Sequence, residues 1–510
     1  MNSFTIPEIS YAAIGPLLVL FGAASVGVLV EALVPRRWRH PVQLGLALVG
    51  VVVAFALVVR QAGAGEVTAG GSVTVDGPAL FLQGALLVLG FVALLVIAER
   101  SVEPGGAFVA QPAVAVGSDA DRRQAGQPSA TEVFPLTMFS LGGMALFVAA
   151  SDLLTMFIAL EVLSLPLYLM SALARRRRLL SQEAAVKYFL LGAYASGFFL
   201  FGLALTYGFA GTVDFAGIHA AVAASDMDRT LLLAGLALVL IGLLFKAAAA
   251  PFHVWTPDVY QGAPTPVVAF MAAATKVAAF GAMLRVLYVA FERVSLDWQV
   301  IVGVVAVLTM LLGAVLAVTQ TDIKRLLAYS SIANAGYVLV AFAAPVRTGA
   351  AAVMFYLLAY GFTVIAAFAI VSLVRDPAGG EANHLSRWAG LGRRSPLVAG
   401  AFTLVLLALA GIPLTAGFTA KFAVFGAALS AGQVWLVIAG VVSSLIIAFP
   451  YLRVVVMMWL SEPGDATATL VVPGRMTGAA VTLGALATLA LGVIPDPVLD
   501  LARDASLFLR

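Results

Sequence analysis

Apolar stretches of about 20 residues follow one another from end to end of this chain, and a run of that length matches the thickness of a hydrocarbon core. Inside hydrocarbon each backbone N–H and C=O must be satisfied within the chain, which an α-helix does. Fourteen spans can be read, at 11–34, 42–60, 78–98, 133–150, 152–173, 187–210, 230–262, 265–290, 300–318, 325–344, 350–374, 397–428, 433–460 and 476–495. Of the 510 residues 62% are hydrophobic and only 11% charged, against about 25% charged in soluble domains. There is too little polar surface here to cover water-soluble domains. The sequence predicts an all-α polytopic membrane protein. The first stretch, too long for a cleaved signal and lacking a basic leader, reads as a retained helix.

Several chemistries lack the residues they need. Cys is absent, which removes disulfides, thiolate metal sites and iron–sulfur ligation. The four histidines, His40, His219, His253 and His384, are too scattered for a metal cluster or a haem pair. Neither a phosphate-binding G-x-x-x-x-G-K-[ST] nor a strand-linked G-x-G-x-x-G occurs, so neither nucleotide hydrolysis nor dinucleotide binding has a home.

Basic residues give an orientation. With both termini outside, the inside loops hold Arg36, Arg37, Arg39, Arg100, Arg122, Arg123, Arg175 to Arg178, Lys187, Lys324, Arg325, Arg375, Arg387, Arg393, Arg394 and Arg475. The outside segments hold only Arg60, Arg229, Arg293, Arg347, Arg503 and Arg510. Eighteen against six is a positive-inside signal that puts both termini on the outer face. The polar stretch 101–132 reads as a flexible cytoplasmic insert.

Four ionisable groups lie deep in apolar spans: Glu161, Lys246, Lys276 and Lys421. Each costs roughly 2.5–3.5 kcal/mol on insertion scales, which points to a role in moving protons or ions. Lys276 stands eleven residues into its span, about 16 Å from the nearer end at ~1.5 Å per residue. Its side chain cannot snorkel that far. Arg285 and Arg453, near span ends, can. A static Glu161–Lys246 pair that only fixes helix packing is the structural alternative.

Prolines mark the same places. Pro166 and Pro251 each follow an ionisable residue, Glu161 and Lys246, by five positions. A helical proline frees the carbonyl four residues earlier, Val162 and Ala247 respectively. Spans 230–262 and 397–428 exceed one crossing and contain Pro251 and Pro413, so each reads as two half-helices. Such a loosened backbone must line a cavity or be satisfied by water or neighbours. Ser164, Thr275, Tyr329, Ser330, Ser331, Asn334, Tyr360, Thr363, Thr415 and Thr419 offer groups for a water chain, or only helix–helix hydrogen bonds. His253 either relays a proton or caps the broken half-helix.

DLLTMFIALEVLSLPLYLM (152–170), FKAAAAPFHVWTPDVYQGAPTPVVAF (245–270) and TDIKRLLAYSSIANAGYVLV (321–340) resemble the antiporter-like membrane subunits of proton-pumping NADH:quinone oxidoreductase, respiratory complex I. The resemblance spans the whole chain, and TPDVYQGAP with a lysine in the second broken helix is similar to the N-type branch. It implies two inverted five-helix repeats, at 133–290 and 300–460, each holding one broken helix. Three helices and the loop precede them in 1–132, and one helix follows in 461–510. It further implies that Glu161 and Lys246 form a charge pair, that Lys276 is a central proton carrier, and that Lys421 exchanges protons with the outer side. Where such subunits often carry histidine, SSIANAG places Asn334, which can order water but not carry the proton. NADH, FMN, iron–sulfur clusters and quinone are then expected on other subunits, with none on this chain. The expected partners are neighbouring membrane-arm subunits and, through them, the redox arm, in a bacterial cytoplasmic membrane. The rival functions are a subunit of a multi-subunit cation/proton antiporter and a non-pumping scaffold.

Overall fold

A computed structural model describes residues 9–103, 105–115, 117–125, 129–224, 229–376, 379–462, 468–470 and 474–509. Arg510, counted above, lies outside them. The spans are α1 Gly15–Leu33, α2 Arg36–Arg60, α3 Gly77–Ala98, α4 Val133–Ala149, α5 Leu153–Ser171, α6 Arg178–Ala210, α7 Thr230–Ala247 with α8 Trp255–Gly262, α9 Thr265–Arg285, α10 Ser295–Val318, α11 Ile323–Val340, α12 Val346–Leu373, α13 Pro396–Ala410 with α14 Ala416–Ser430, α15 Val434–Leu460 and α16 Arg475–Val493. Among the described residues twelve helices are long and apolar enough to cross a membrane unaided. The other two crossings are α4 and the broken pair α13–α14, which completes the fourteen.

Helix α9 is the axis of the bundle. Every one of its residues is buried, because α3, α4, α7 and α12 pack around it. Around this axis the same order occurs twice. In α4–α9 and in α10–α15 the fourth crossing is the broken one, the first packs on the second, and the first also packs on the fifth.

The ends show why boundaries read from hydropathy alone fall short. Helix α6 starts at Arg178, nine residues before its apolar run, since a helix continues past the hydrocarbon wherever polar residues can form it. Helix α11 starts at Ile323 because Asp322 caps it, accepting from Lys324 N at 2.8 Å and Arg325 N at 3.1 Å. Helix α5 runs unbroken through Pro166, and Ser140 of α4 donates to Leu163 O at 2.9 Å beside the proline. In addition two short strand pairs, Glu66–Thr68 with Val73–Val75 and Val374–Arg375 with Thr469–Leu470, close bundle ends.

Two expectations are corrected. The 101–132 stretch is not a free insert: Phe108 and Val109 are buried, Phe108 forms a β-bridge with Ala174, and Arg175 donates to Gly106 O and Phe108 O at 2.9 and 3.0 Å. Arg178 pairs with Asp121. The arginines that looked like topology signals also pin this loop onto the ends of α5 and α6. Arg285 does not snorkel. It is 1% exposed and bonds Asp76 Oδ1 at 2.6 Å and Val148 O at 3.1 Å, a buried pair formed across 209 positions that local sequence cannot reveal. Arg453 is half-buried and reaches the carbonyls of Val318 and Gln320 at the end of α10.

Candidate functional site: a row of buried lysines at two helix breaks

Both broken helices end their first half on an exposed carbonyl cluster. Helix α7 stops at Ala247, Ala248 turns into the left-handed region at φ 62°, and α8 resumes at Trp255. Helix α13 stops at Ala410, with Gly411 at φ 88°, where glycine adopts the turn without steric cost. The last carbonyls of a helix lack partners and carry partial negative charge. A buried ammonium answers each cluster. Lys276 Nζ donates to Ala247 O at 2.9 Å. Lys421 Nζ donates to Ala410 O at 3.0 Å and Leu409 O at 3.3 Å and lies 4.4 Å from the Tyr337 ring centre. The two lysines are 2% and 6% exposed. The free Ala247 carbonyl expected from Pro251 is thus the one that holds Lys276.

Lys246 sits one residue before the first break. Its ammonium donates to Ser164 Oγ at 2.7 Å and Tyr188 OH at 3.2 Å. It lies 5.2 Å from the Tyr188 ring centre and 5.7 Å from that of Tyr168. Tyr188 in turn stacks on Trp255 of α8, with centroids 4.6 Å apart, and Trp255 Nε1 donates back to Phe245 O at 2.9 Å. Glu161, Ser164 and Tyr168 follow at helical spacing on one face of α5.

The expected direct Glu161–Lys246 pair is not formed. Among the described residues no ion pair joins them, and Glu161 Oε1 is buried without a hydrogen-bond partner. Glu161 is moreover half-buried rather than in the core, beside the outward stripe of Leu154, Ile158, Leu165 and Leu169. Ser164 accepts from Lys246 and donates its own proton to Leu160 O, a link from α7 to α5 that no single span could reveal.

Further along, Asn334 donates to Ser330 O at 2.8 Å and accepts from Tyr356 OH at 2.7 Å. With Tyr360, Thr363, Leu409 and Ala420 these two line a cavity of about 10 Å³ beside the second break, about the room one water occupies. Tyr360 OH, Ser331 Oγ, His253 Nδ1 and Thr256 Oγ1 are buried without protein partners. Groups in that condition are normally met by water. His253 makes no side-chain cap of α8. Thr275, Thr415 and Thr363 spend their hydroxyls on local carbonyls, as the structural alternative anticipated. Among the described residues no group of three His, Cys, Asp or Glu could hold a metal.

Residues 150–447 match the family model described as NADH:quinone oxidoreductase/Mrp antiporter, TM. The chain is 67% identical to the NADH-quinone oxidoreductase subunit N of Salinispora arenicola, over 100% of both chains. The chain belongs to the subunit N family of NADH-quinone oxidoreductase. A chain of respiratory complex I from Thermus thermophilus is similar at 33% identity with a TM-score of 0.78, over 96% of this chain and 99% of that one. A chain of the Mrp complex from Dietzia sp. shares the fold alone, with a TM-score of 0.81 at 23% identity, over 98% of this chain and 97% of that one. Lys246, Lys276, Asn334 and Lys421 are buried in this chain, and Glu161 is half-buried.

Sequence reasoning missed a second charged layer at one end of the bundle. Lys324, counted above as a loop residue, is 1% exposed and bonds Ala263 O, Thr265 Oγ1 and Glu381 Oε2 at 2.9, 3.0 and 3.3 Å. Asp258 of α8 bridges Lys187 and Arg325, each at 2.7 Å. The TDIK run held the signal: an acidic cap followed by a lysine that helical geometry turns inward.

Proposed function

We propose that this subunit N moves protons along the row Glu161, Lys246, Lys276, Lys421 when NADH oxidation and quinone reduction occur on other subunits of the complex. The observation that carries the reading is that Lys276 and Lys421 each rest on the open carbonyls of a broken helix. A lysine at mid-membrane needs partners that stabilise its charge yet can be withdrawn. A half-helix terminus provides them: while the break holds its shape the ammonium keeps its proton, and when the half-helix shifts that proton can leave. Glu161, half-buried on an outward face, stands where charge on a neighbouring subunit can reach it. The Glu161 charge acts on Lys246 through space, without a direct pair. Protons enter from the cytoplasm toward Lys246 and Lys276 and leave by Lys421, with Asn334 and His253 ordering water.

The two sets α4–α9 and α10–α15 act as inverted repeats, each supplying one break. Both termini face the outer side, supported by the eighteen-to-six charge asymmetry. The cofactors NADH, FMN, iron–sulfur clusters and quinone belong to other subunits, in keeping with a cysteine-free chain. The antiporter alternative shares the fold, but 67% identity to a subunit N against 23% to the Mrp chain favours the first reading.

The test is proton translocation by the reconstituted complex. Lys246→Ala assembles but loses most NADH-driven pumping. Lys246→Arg does not restore it, because a guanidinium holds its proton at any accessible pH. Full pumping by the arginine variant would show that only the charge is needed and that the residue is structural.

A further inference from the structure

The Lys324–Glu381 pair is the only fully formed lysine–carboxylate contact among the described residues in which the lysine is 1% exposed. Its two halves differ. Glu381, on the connection between α12 and α13, is 17% exposed and reaches a cavity of about 40 Å³ that Lys324 also lines, with Glu99, Glu103, Arg175, Arg176, Arg177 and Arg375. The ammonium, 1% exposed, bonds more closely to Ala263 O and Thr265 Oγ1 than to the carboxylate. Those two acceptors belong to the joint between α8 and α9. Ala263 O holds the lysine alone, whereas Thr265 Oγ1 also donates to Glu381 Oε1, so a shift of the joint at Ala263 moves the lysine relative to the glutamate.

Beyond Lys324, α11 offers one continuous face. Ser331 is seven residues on, two turns and about 10 Å along the axis, and Asn334 is three further. Tyr260 of α8 and Tyr360 of α12 both lie near Ser331. Tyr356 bonds Asn334, and the 10 Å³ cavity continues to Leu409 and Ala420, next to Lys421. This face bypasses Lys246 and Lys276.

We propose that Glu381 and Lys324 gate a proton entry that supplies Lys421 along α11. The inference rests on the reading that Lys421 releases protons. With Lys324 on it, Glu381 stays ionised and the entry is closed. Burial pushes its carboxyl up, but Lys324, Arg375 and Thr265 outweigh that and hold it below the ordinary carboxylate range. The other carboxylates on the cavity are themselves held, Glu103 by Arg375 and Arg176 and Glu99 by Ser101 and the backbone N–H groups of Met476 and Thr477. When the α8–α9 joint draws Lys324 away, the carboxylate takes a proton from hydronium in the cavity and passes it to water ordered by Ser331, Tyr360 and Asn334. Lys324 then returns and shuts the entry.

Complex reconstituted in liposomes, read with a pH-sensitive dye, separates this from a structural pair, because the two residues should fail in opposite ways. Glu381→Gln assembles, loses NADH-driven acidification and keeps the membrane tight to an imposed pH gradient, whereas Glu381→Asp pumps. Lys324→Met dissipates an imposed gradient without NADH, and adding Lys421→Met closes that leak. Wild-type pumping by Glu381→Gln overturns the gate, as does a tight Lys324→Met membrane. So does a leak that survives Lys421→Met, or recovery of pumping in the double variant Glu381→Gln/Lys324→Met. If Glu381→Gln fails to assemble, the Lys324→Met leak decides alone. Normal pumping by Lys421→Met by itself would instead remove the reading beneath; a blocked Lys421→Met with a pumping Glu381→Gln removes only the gate.

Discussion

Lys421 donates to two carbonyls of the half-helix before it and lies against the Tyr337 ring. All three contacts favour the charged form. No carboxylate pairs with it among the described residues, so nothing but the break's geometry fixes its proton. Lys421→Glu should retain part of the pumping, since a carboxyl also exchanges protons there, although it faces carbonyls that repel its ionised form. Lys421→Met keeps the length and packing but cannot titrate, and should stop turnover. Pumping assays on both variants decide: a tolerated methionine with an inactive glutamate would mark Lys421 as structural. Its depth and its distance from Pro413 were legible in sequence, since both are local. What it touches was not, because the carbonyls become partners only when α13 and α14 fold back on each other.

Among the elements, the buried Arg285–Asp76 pair shows how one residue can tie several segments. Asp76 caps α3 through Ala79 N at 3.0 Å, pairs with Arg285 at the end of α9, and accepts from Leu509 N at 3.0 Å near the carboxyl end. Asp76→Ala leaves a buried guanidinium with Val148 O and the Phe508 ring but no carboxylate, and removing one partner of such a pair costs about 3–5 kcal/mol. A drop in the detergent-unfolding midpoint larger than that of Asp500→Ala, whose pair with Arg503 is solvent-exposed, checks this. The Glu381 carboxyl adds a pH term of known sign. Because its native pKa lies below the ordinary 4.5, its stabilisation is complete above pH 4.5 and is lost as pH falls through the lower native value. Acid unfolding of Glu381→Gln should lack that component. Helices α7 to α9 were readable from span length and Pro251; the loop 101–132 was not, because its composition matches a free linker and the groups that hold it down, among them Arg175, Arg176, Arg178 and Arg375, are distant in sequence.

At the scale of the whole molecule, orientation is the property on which the direction of transport depends. The positive-inside rule weighs arginines as if all were exposed, yet Arg178, Lys324 and Arg375 are buried and paired. Removing those three from the inner count leaves fifteen against six, so the asymmetry survives although part of it serves the fold. The docked loop sharpens the test. Ala120 is exposed on the short helix Asp119–Ala125, and Glu66 is exposed in the hairpin at the opposite end of α2 and α3. In a chain without cysteine, Ala120→Cys and Glu66→Cys each give a single labelling site. An impermeant maleimide added to intact cells should label position 66 and not position 120, and inverted vesicles should reverse the pattern. Labelling of position 120 from outside would reverse the whole molecule. Lys421 would then lie on the uptake path and the cavity at Glu381 on the release path, with the lysine row itself unchanged.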